Sequence, residues 1–203
     1  MLTIDIYSDI ICPWCYIGKK RLEAALAQRP DLEVAINWRA FLLNPSMPRD
    51  GMDRQQYLRQ KFGEAAFAVY DRIAQAGTEA GISFQFNAIQ KTPETSAIHT
   101  LLIAAGQDSF SLSERFFQAY FLKGEDISDP ETQSRLIQEE GCQMRYTKEA
   151  LSQAATQIND DLAFGRELGI DGVPFFVFNK QFSLAGAHPE HVLLSVIDAA
   201  IAA

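Results

Sequence analysis

The sequence contains little cysteine and no long apolar run. Only three of its 203 residues are cysteine, which excludes a small secreted scaffold held together by several disulfide bonds. No stretch approaches the roughly 18 apolar residues that a membrane-spanning helix needs. The N-terminus also lacks the basic start, apolar core and cleavage site of a secretory leader. We therefore expect a cytoplasmic location and no membrane partner.

Positive charge is scarce as well. The chain carries 18 Lys and Arg against 26 Asp and Glu, which gives a formal net charge of −8. This balance disfavours a nucleic-acid partner or an anionic membrane surface as a ligand.

A hydrophobic content of 47% is ordinary for a globular protein with a real core. The length suits one domain, or one domain with a sizeable insertion.

Two of the cysteines, Cys12 and Cys15, enclose Pro13 and Trp14 near the start of the chain. The preceding residues 2–8 alternate between apolar and polar, which predicts a strand, and residues 13–29 carry apolar side chains at helical spacing. A pair of thiols at such a strand-to-helix junction is typical of a redox site. We therefore predict that Cys12 and Cys15 are the catalytic residues.

The predicted helix gives the two thiols different roles. Cys12 lies at the helix start, where unpaired backbone N–H groups and the positive end of the helix dipole stabilise a thiolate. Cys15 follows one turn later on the same face, so it is placed to attack a disulfide formed at Cys12. Pro13 fits the first turn because it has no N–H to satisfy. Since no histidine separates the cysteines, we predict moderate thiolate stabilisation and an intermediate redox potential.

The pattern of elements along the chain predicts an α/β fold. Residues 32–43 have strand character and are expected to pair parallel to the first strand, which completes a βαβ unit. A further helix up to residue 169, an apolar strand, an antiparallel partner strand and a closing helix follow the central block. That central block is mostly helical, with helices predicted at 54–62, 64–80, 94–105, 112–122 and 130–140 and a short extended segment at 82–86.

This order divides the chain into an outer α/β unit and a helical insertion. The outer unit is predicted from residues 1–44 and 157–203, and the all-helical insertion from residues 45–156. Four aromatic side chains recur at helical spacing within the insertion, and we interpret them as core packing rather than as a cofactor site. They are Phe116, Phe117, Tyr120 and Phe121.

Several separated motifs resemble a known family. A CxxC that opens a helix after the first strand, with Gly-Val-Pro before a late apolar strand, is similar to the thioredoxin superfamily. The helical block resembles the DsbA family, which implies a thioredoxin-like fold with an inserted all-helical domain. Residues 7–18 (YSDIICPWCYIG), 120–128 (YFLKGEDIS) and 169–177 (GIDGVPFFV) resemble its FrnE-like branch of cytoplasmic disulfide oxidoreductases. The similarity spans nearly the full chain.

The resemblance implies a function and further site residues. It implies thiol–disulfide exchange, in which Cys12 attacks a disulfide and Cys15 resolves the mixed species. It also implies that Pro174 is a cis proline facing the thiols, with Val173 beside it to pair with an extended substrate. We assign Pro13, Trp14, Val173 and Pro174 to substrate binding, and we expect an apolar rim formed by Trp14, Ile11, Tyr16 and Phe175.

The implied substrates are protein or small-molecule thiols and disulfides. Glutathione is a potential co-substrate, no other cofactor is expected, and the oligomeric state is a monomer or a homodimer. Two other functions stay open. One is a glutathione-dependent isomerase or transferase resembling 2-hydroxychromene-2-carboxylate isomerase, which generally carries serine at the position of Cys12. The other is a binding or chaperone module without catalysis.

Two further residues are candidates for auxiliary roles. Asp9 is either a proton shuttle or a turn residue at the strand end, and we favour the turn. His99 is either an auxiliary catalytic residue or a hydrogen-bonded helix histidine, and we favour the second. No metal is expected, because zinc needs about four ligands and only His188 and His191 offer a second half-site. The lone Cys142 is interpreted as a small packing residue rather than a regulatory thiol.

Overall fold

The computed structural model describes residues 1–203, with the side chain of Phe67 left out. Its strands are β1 (Leu2–Ser8), β2 (Val34–Ala40), β3 (Met52–Asp53), β4 (Lys91–Thr92), β5 (Phe175–Phe178) and β6 (Phe182–Ala185). Its helices are α1 (Pro13–Ala27), α2 (Arg54–Phe62), α3 (Ala66–Glu79), α4 (Ser96–Ala104), α5 (Ser109–Lys123), α6 (Pro130–Glu140), α7 (Lys148–Glu167) and α8 (Glu190–Ala202).

A four-stranded sheet in the order β2-β1-β5-β6 forms the centre of the α/β unit. β1 runs parallel to β2 and antiparallel to β5, so Ile4 lies between Ile36 and Phe178. Because side chains alternate along a strand, these residues share one sheet face. That face packs against Leu22 of α1 and Leu193 of α8 in a common core. The start of α1 is thereby held at the carboxyl end of β1.

The helical block has its own aromatic core, and α1 contributes to it. Phe117 and Phe121 of α5 are fully buried there. The ring of Tyr16, the residue after Cys15, stacks on Phe117 with ring centroids 5.0 Å apart. Cys12 and Cys15 belong to the same buried cluster. The dithiol therefore lies where the α/β unit meets the helical block.

The predicted element order is confirmed, including the parallel pairing of the first two strands. The predicted interior placement of the aromatic series of α5 is also confirmed, since each of the four side chains is at most 1% exposed. The boundary predicted between residues 156 and 157 falls inside α7, a continuous helix from Lys148 to Glu167.

The extended segment predicted at 82–86 forms no strand in the described chain, and it ends one residue early, at the start of a 3-10 turn. Instead, the amide of Gln85 donates to the carbonyl of Phe121, and a 3-10 turn spans Phe86–Ala88. The apolar alternation reflects Phe84, whose ring lies 5.4 Å from that of Phe121. The two-residue ladder of β3 with β4 was not predicted.

None of the helices in the described chain is both long enough and apolar enough to cross a bilayer.

Candidate active site

Cys12 occupies the N-cap position of α1, and Pro13 fills the first turn. The amide of Cys12 donates to the Asp9 carbonyl at 3.0 Å, and the amide of Cys15 donates to the Cys12 carbonyl at 3.0 Å. The start of a helix leaves backbone N–H groups directed at the N-cap. Cys12 therefore lies at the positive end of the helix dipole.

The two thiols differ in their surroundings. Both are free and buried, with 4% of Cys12 and 2% of Cys15 exposed. Burial raises the pKa of Cys15 well above its usual value. The hydrogen bond and the charge of Cys12 raise it further, whereas the Ser8 hydroxyl and the Asp9 amide act in the opposite direction. Cys15 is therefore protonated in the reduced pair, which leaves Cys12 as the candidate nucleophile.

The Val173–Pro174 segment lies against the dithiol. The Cys12 thiol donates to the Val173 carbonyl, with sulfur and oxygen 3.6 Å apart, and the Val173–Pro174 peptide bond is cis. Pro174 is buried and packs closely on α1, where a Cβ on Gly18 would lie only 2.8 Å from Pro174 Cγ. The structure thus brings the predicted residues of the C-terminal segment next to Cys12.

The surface around the thiols differs from the predicted rim. Trp14 is 38% exposed, so it is available to a substrate. Ile11 and Tyr16 are 4% and 1% exposed, and the rim predicted for them is wrong. The Tyr16 hydroxyl instead donates to Glu114 at 2.8 Å inside the domain junction. Helical periodicity marks an apolar face, but it does not show whether that face is exposed to a substrate or packs into the core of the helical block.

Asp9 and His99 meet in the interior beside the CxxC turn. The Asp9 carboxylate is fully buried and accepts from the amides of Leu43 at 2.8 Å and Ile11 at 3.4 Å. His99 Nε2 lies 3.5 Å from Asp9 Oδ1, and its Nδ1 accepts from Trp38 Nε1 at 2.9 Å. Asp9 therefore closes the turn and ties it to the segment after β2, and His99 is a hydrogen-bonded helix residue.

Sequence reasoning missed Arg54 and Tyr70. Arg54, the first residue of α2, is 2% exposed. Its Nη2 donates to the Tyr70 hydroxyl at 2.6 Å, and its Nη1 donates to Thr92 Oγ1 at 3.1 Å and to the Tyr120 hydroxyl at 3.4 Å. Arginine at the start of a polar helix is usually solvent-exposed, so the local pattern carried no signal for this site.

The remaining candidates lie apart from the dithiol. Cys142 follows α6, is buried, and contacts the Ile137 carbonyl and the Tyr146 hydroxyl, each 3.8 Å from its sulfur. Burial is the main cause that raises the pKa of Cys142. His188 and His191 are exposed near the start of α8. Across the described side chains, no three His, Cys, Asp or Glu residues are grouped closely enough to hold a metal ion.

A central sheet, a CxxC pair at the start of α1 and a proline segment packed against that pair define a thioredoxin-like protein. The chain belongs to the DSBA-like thioredoxin domain family, whose model matches residues 3–198. The expected thioredoxin-like fold with a helical insertion is thereby confirmed.

Known proteins similar to this chain span most of its length. The uncharacterized protein YwbO of Bacillus subtilis is 26% identical over 184 residues, which cover 86% of this chain and 85% of YwbO. The structure of a probable DsbA oxidoreductase from Streptomyces coelicolor has a TM-score of 0.83 and 27% identity, covering 100% of this chain and 91% of that one.

A third similar structure is the cytosolic disulfide reductase DsbM from Pseudomonas aeruginosa with GSH. Its TM-score is 0.70 at 15% identity, and the match covers 99% of this chain and 100% of DsbM. At this identity, the likeness shows a common fold.

Proposed function

We propose that this chain is a thiol–disulfide oxidoreductase of the FrnE-like branch, acting through Cys12 and Cys15 on protein or small-molecule thiols. The observation that carries the proposal is the asymmetry of the pair. Cys12 lies at the N-cap of α1, whereas burial raises the pKa of Cys15 and keeps it protonated until it is needed. A nucleophile and a resolving thiol are the two groups that disulfide exchange requires.

The exchange proceeds in two balanced displacements. The Cys12 thiolate attacks one sulfur of a substrate disulfide, forms a mixed disulfide and releases the first substrate sulfur as a thiolate, which takes up a proton. Cys15 then loses its proton and attacks the Cys12 sulfur, which forms the Cys12–Cys15 disulfide and releases the second substrate thiol. Two electrons pass from the pair to the substrate, and the reverse sequence oxidises a substrate dithiol.

Val173 and Trp14 are the proposed substrate contacts. Trp14 offers an exposed indole between the two cysteines. The Val173 carbonyl, which accepts the Cys12 thiol in the reduced protein, is released when that sulfur enters a mixed disulfide. An extended substrate backbone can then take the place of the thiol, as strand-adding ligands do.

Glutathione is the proposed electron donor, in a cytoplasmic setting. The support is that DsbM, a cytosolic disulfide reductase whose structure contains GSH, has the same fold. The presence of both thiols favours this function over a glutathione-dependent isomerase, because an isomerase has no use for a resolving cysteine. A binding module without catalysis would keep working after Cys12 is alkylated.

Trapping tests the assigned roles. A Cys15→Ser protein should accumulate mixed disulfides with oxidised glutathione or with a disulfide substrate such as insulin, because the resolving step is absent. A Cys12→Ser protein should not, and a Cys142→Ser protein should behave as the wild type. Equal trapping by Cys12→Ser and Cys15→Ser would contradict the order of the two steps.

A glutathione redox titration with insulin-disulfide reduction tests the activity itself. We expect a reduction potential of about −200 to −270 mV, together with turnover. A pair that stays reduced at every glutathione ratio would rule out the oxidoreductase. Isomerisation that depends on glutathione, seen with such an inert pair, would support the isomerase instead.

A further inference from the structure

A cleft of about 520 Å³ lies between α7 and the sheet. Its floor consists of Asp5 and Tyr7 of β1 and Val177 of β5. Because side chains alternate along a strand, these residues face away from Ile4 and Ile6, which belong to the core shared with α1. The cleft is therefore on the opposite side of the sheet from α1, and neither cysteine of the dithiol is among its lining residues.

The wall of the cleft is a face of α7 that stays partly open to solvent. Phe164 and Leu168 lie there one helical turn apart, and they are 51% and 45% exposed. Large apolar side chains that stay exposed around a concave surface mark binding sites. The volume also falls in the range of roughly 300 to 1,000 Å³ that small-molecule sites occupy. The cleft therefore suits a small organic molecule in size and in apolar character.

The Tyr7 hydroxyl is a polar group without a partner at this cleft. Tyr7 is 2% exposed, and its ring contacts α7, where a Cβ on Gly165 would lie 3.7 Å from Tyr7 Cε1. No described residue forms a hydrogen bond with its hydroxyl. Burial is the largest cause that raises the pKa of Tyr7 to about 12, so the phenol is neutral. Buried polar groups nearly always have a partner, and a bound molecule would supply this one.

On the floor of the cleft, two carboxylates share one cation. Arg39 Nη2 lies 2.9 Å from Asp5 Oδ1, and Arg39 Nη1 lies 3.3 Å from Asp161 Oδ1. Asp161 is 2% exposed and also accepts from the amide of Ala40 at 3.0 Å and from Gln157 Nε2 at 2.8 Å. Burial is the main cause that raises the pKa of Asp161 despite these partners. A further cation nearby would therefore favour its ionised form.

The rim adds more negative charge than positive charge. Asp160 and Glu167 are exposed on α7, and neither forms an ion pair in the described structure. Lys180, in the turn after β5, is the one exposed cation among the residues that line the cleft. With the three charged groups of the floor, the lining holds four carboxylates and two cations. Such a surface attracts a cation and repels an anion.

We propose that the cleft binds a small organic amine in its cationic form. The apolar or aromatic body of the amine lies against Phe164 and Val177. Its ammonium group donates to the Tyr7 hydroxyl and is balanced by the excess of carboxylates. The proposal goes beyond thiol–disulfide exchange, because no step of that exchange involves a residue of the cleft.

The test is an NMR titration of the full chain with naphthylmethylamine, naphthylmethanol and naphthoate, which share an aromatic body and differ in charge. We expect the amine to bind with a dissociation constant of about 1 mM. The alcohol and the carboxylate should bind at least about fivefold more weakly, because they lose the charge-assisted hydrogen bond. The amide shifts should be largest around Tyr7, Phe164 and Val177. Equal binding of the three probes, or shifts centred on the dithiol, would overturn the proposal.

Variants of the cleft separate its two kinds of contact. Phe164→Ala should weaken amine binding about fivefold, because the aromatic contact is lost. Tyr7→Phe should weaken it about threefold to tenfold, because it removes one hydrogen bond to a charged group. Folded Phe164→Ala and Tyr7→Phe proteins that bind the amine like the wild type would contradict the site. If Tyr7→Phe fails to fold by circular dichroism, Phe164→Ala decides the question, since its side chain lies at the surface.

Ile201→Ala and Asp171→Asn are the matched controls. Ile201 is 48% exposed on α8, Asp171 is an exposed carboxylate, and neither is among the residues that line the cleft. Both variants should bind the amine within about 1.5-fold of the wild type. Weakening by these controls as large as that by Phe164→Ala would show that the amine binds to the surface without a defined site, which would overturn the proposal.

The titration is independent of the redox activity. A Cys12→Ser protein should bind the amine with unchanged affinity, even though it cannot exchange disulfides. Loss of binding in Cys12→Ser would place the amine at the dithiol and overturn the proposal. An inert dithiol in the glutathione titration would remove the proposed function and leave the amine affinities readable.

Sedimentation velocity excludes a second copy as the occupant of the cleft. The Phe164→Ala protein should sediment like the wild type, because the exposed ring is expected to contact a small molecule and no other chain. A wild-type dimer that Phe164→Ala converts to a monomer would show that a second copy covers the cleft, and the proposed amine site would be wrong.

Discussion

The indole Nε1–H of Trp38 donates a hydrogen bond to Nδ1 of His99 across 2.9 Å, and both side chains are buried. Because Nδ1 accepts, the proton of the neutral imidazole is on Nε2, which lies 3.5 Å from Asp9 Oδ1. Trp38 belongs to β2 and His99 to α4. One chain of polar contacts therefore joins the sheet, the helical block and the turn that carries Cys12.

Removing the indole donor should destabilise the protein. In Trp38→Phe, His99 Nδ1 is left buried without its partner, and we expect a loss of about 1–3 kcal/mol in the free energy of unfolding. Urea unfolding followed by circular dichroism measures it. Trp14→Phe is the matched control, because that indole is 38% exposed and its loss should cost at most about 0.5 kcal/mol. Equal costs for the two variants would contradict the importance of the buried pair.

Gly18→Ala should disturb the contact between α1 and the Pro174 segment. The added Cβ would lie 2.8 Å from Pro174 Cγ and 3.2 Å from Phe176 Cζ, so we expect a loss of about 1–3 kcal/mol in stability. Insulin reduction should fall severalfold as Pro174 moves relative to Cys12.

Gly172→Ala provides the comparison for Gly18→Ala, since a Cβ there meets nothing within 4 Å. It should stay within about 0.5 kcal/mol of the wild type in urea unfolding. A Gly18→Ala protein as stable and active as Gly172→Ala would show that the approach of α1 to Pro174 is not restrictive.

The ion pairs of Glu114 should make stability depend on pH. Burial would raise the pKa of Glu114, but a hydrogen bond from Lys20, the charge of Lys19 and a hydrogen bond from Tyr16 lower it below 4.5 overall. A lowered folded-state pKa stabilises the fold above the unfolded value, and this stability is lost as the pH falls through the folded value. Glu114→Gln should therefore cost about 1–2 kcal/mol at pH 7, with the cost shrinking below about pH 4.5.

Urea unfolding of the Glu114→Gln and wild-type proteins from pH 3 to pH 7 checks this dependence. Glu79→Gln is the control, because the carboxylate of Glu79 is 64% exposed and 3.7 Å from Arg21. Such surface pairs contribute at most about 1 kcal/mol. A cost of Glu114→Gln that does not change with pH would contradict the ionic contribution.

Cys142 should react slowly and take no part in turnover. Burial raises the pKa of its thiol, so Ellman's reagent should modify Cys142 at least about tenfold more slowly than Cys12 in the reduced protein. Cys142→Ala should leave insulin reduction within about twofold of the wild type. Loss of activity in that variant, with the fold intact, would mean that Cys142 exchanges with the pair.

Elements with a strong local signal could be predicted from the sequence. Alternation marks β1, the unbroken apolar run marks β5, and α6 is bounded by Pro130 and Gly141, which begin and end a helix for known reasons. The alternation at residues 82–86 does not mark a strand, because apolar residues that pack into the core of a neighbouring element can also alternate. Tertiary packing against α5 decided that segment.

The dithiol could be predicted because its chemistry depends on local spacing, and Val173 and Pro174 entered through resemblance. Arg54 and Tyr70 could not be predicted, since 15 residues along the chain separate their positions and neither residue type is distinctive there. Trp38 and His99 show the same limit, because their pairing joins β2 to an insertion helix. Long-range polar pairs leave no periodic signal in one sequence.

Because Tyr16 of α1 stacks on Phe117 of α5, the helical block is part of the core that supports α1 and cannot be removed without exposing that core. A shorter chain that kept only the sheet and its flanking helices would expose to solvent the face of α1 next to Cys15. We therefore expect the chain to tolerate added residues in loops that do not contact α5, and not between Tyr16 and the aromatic side chains of α5.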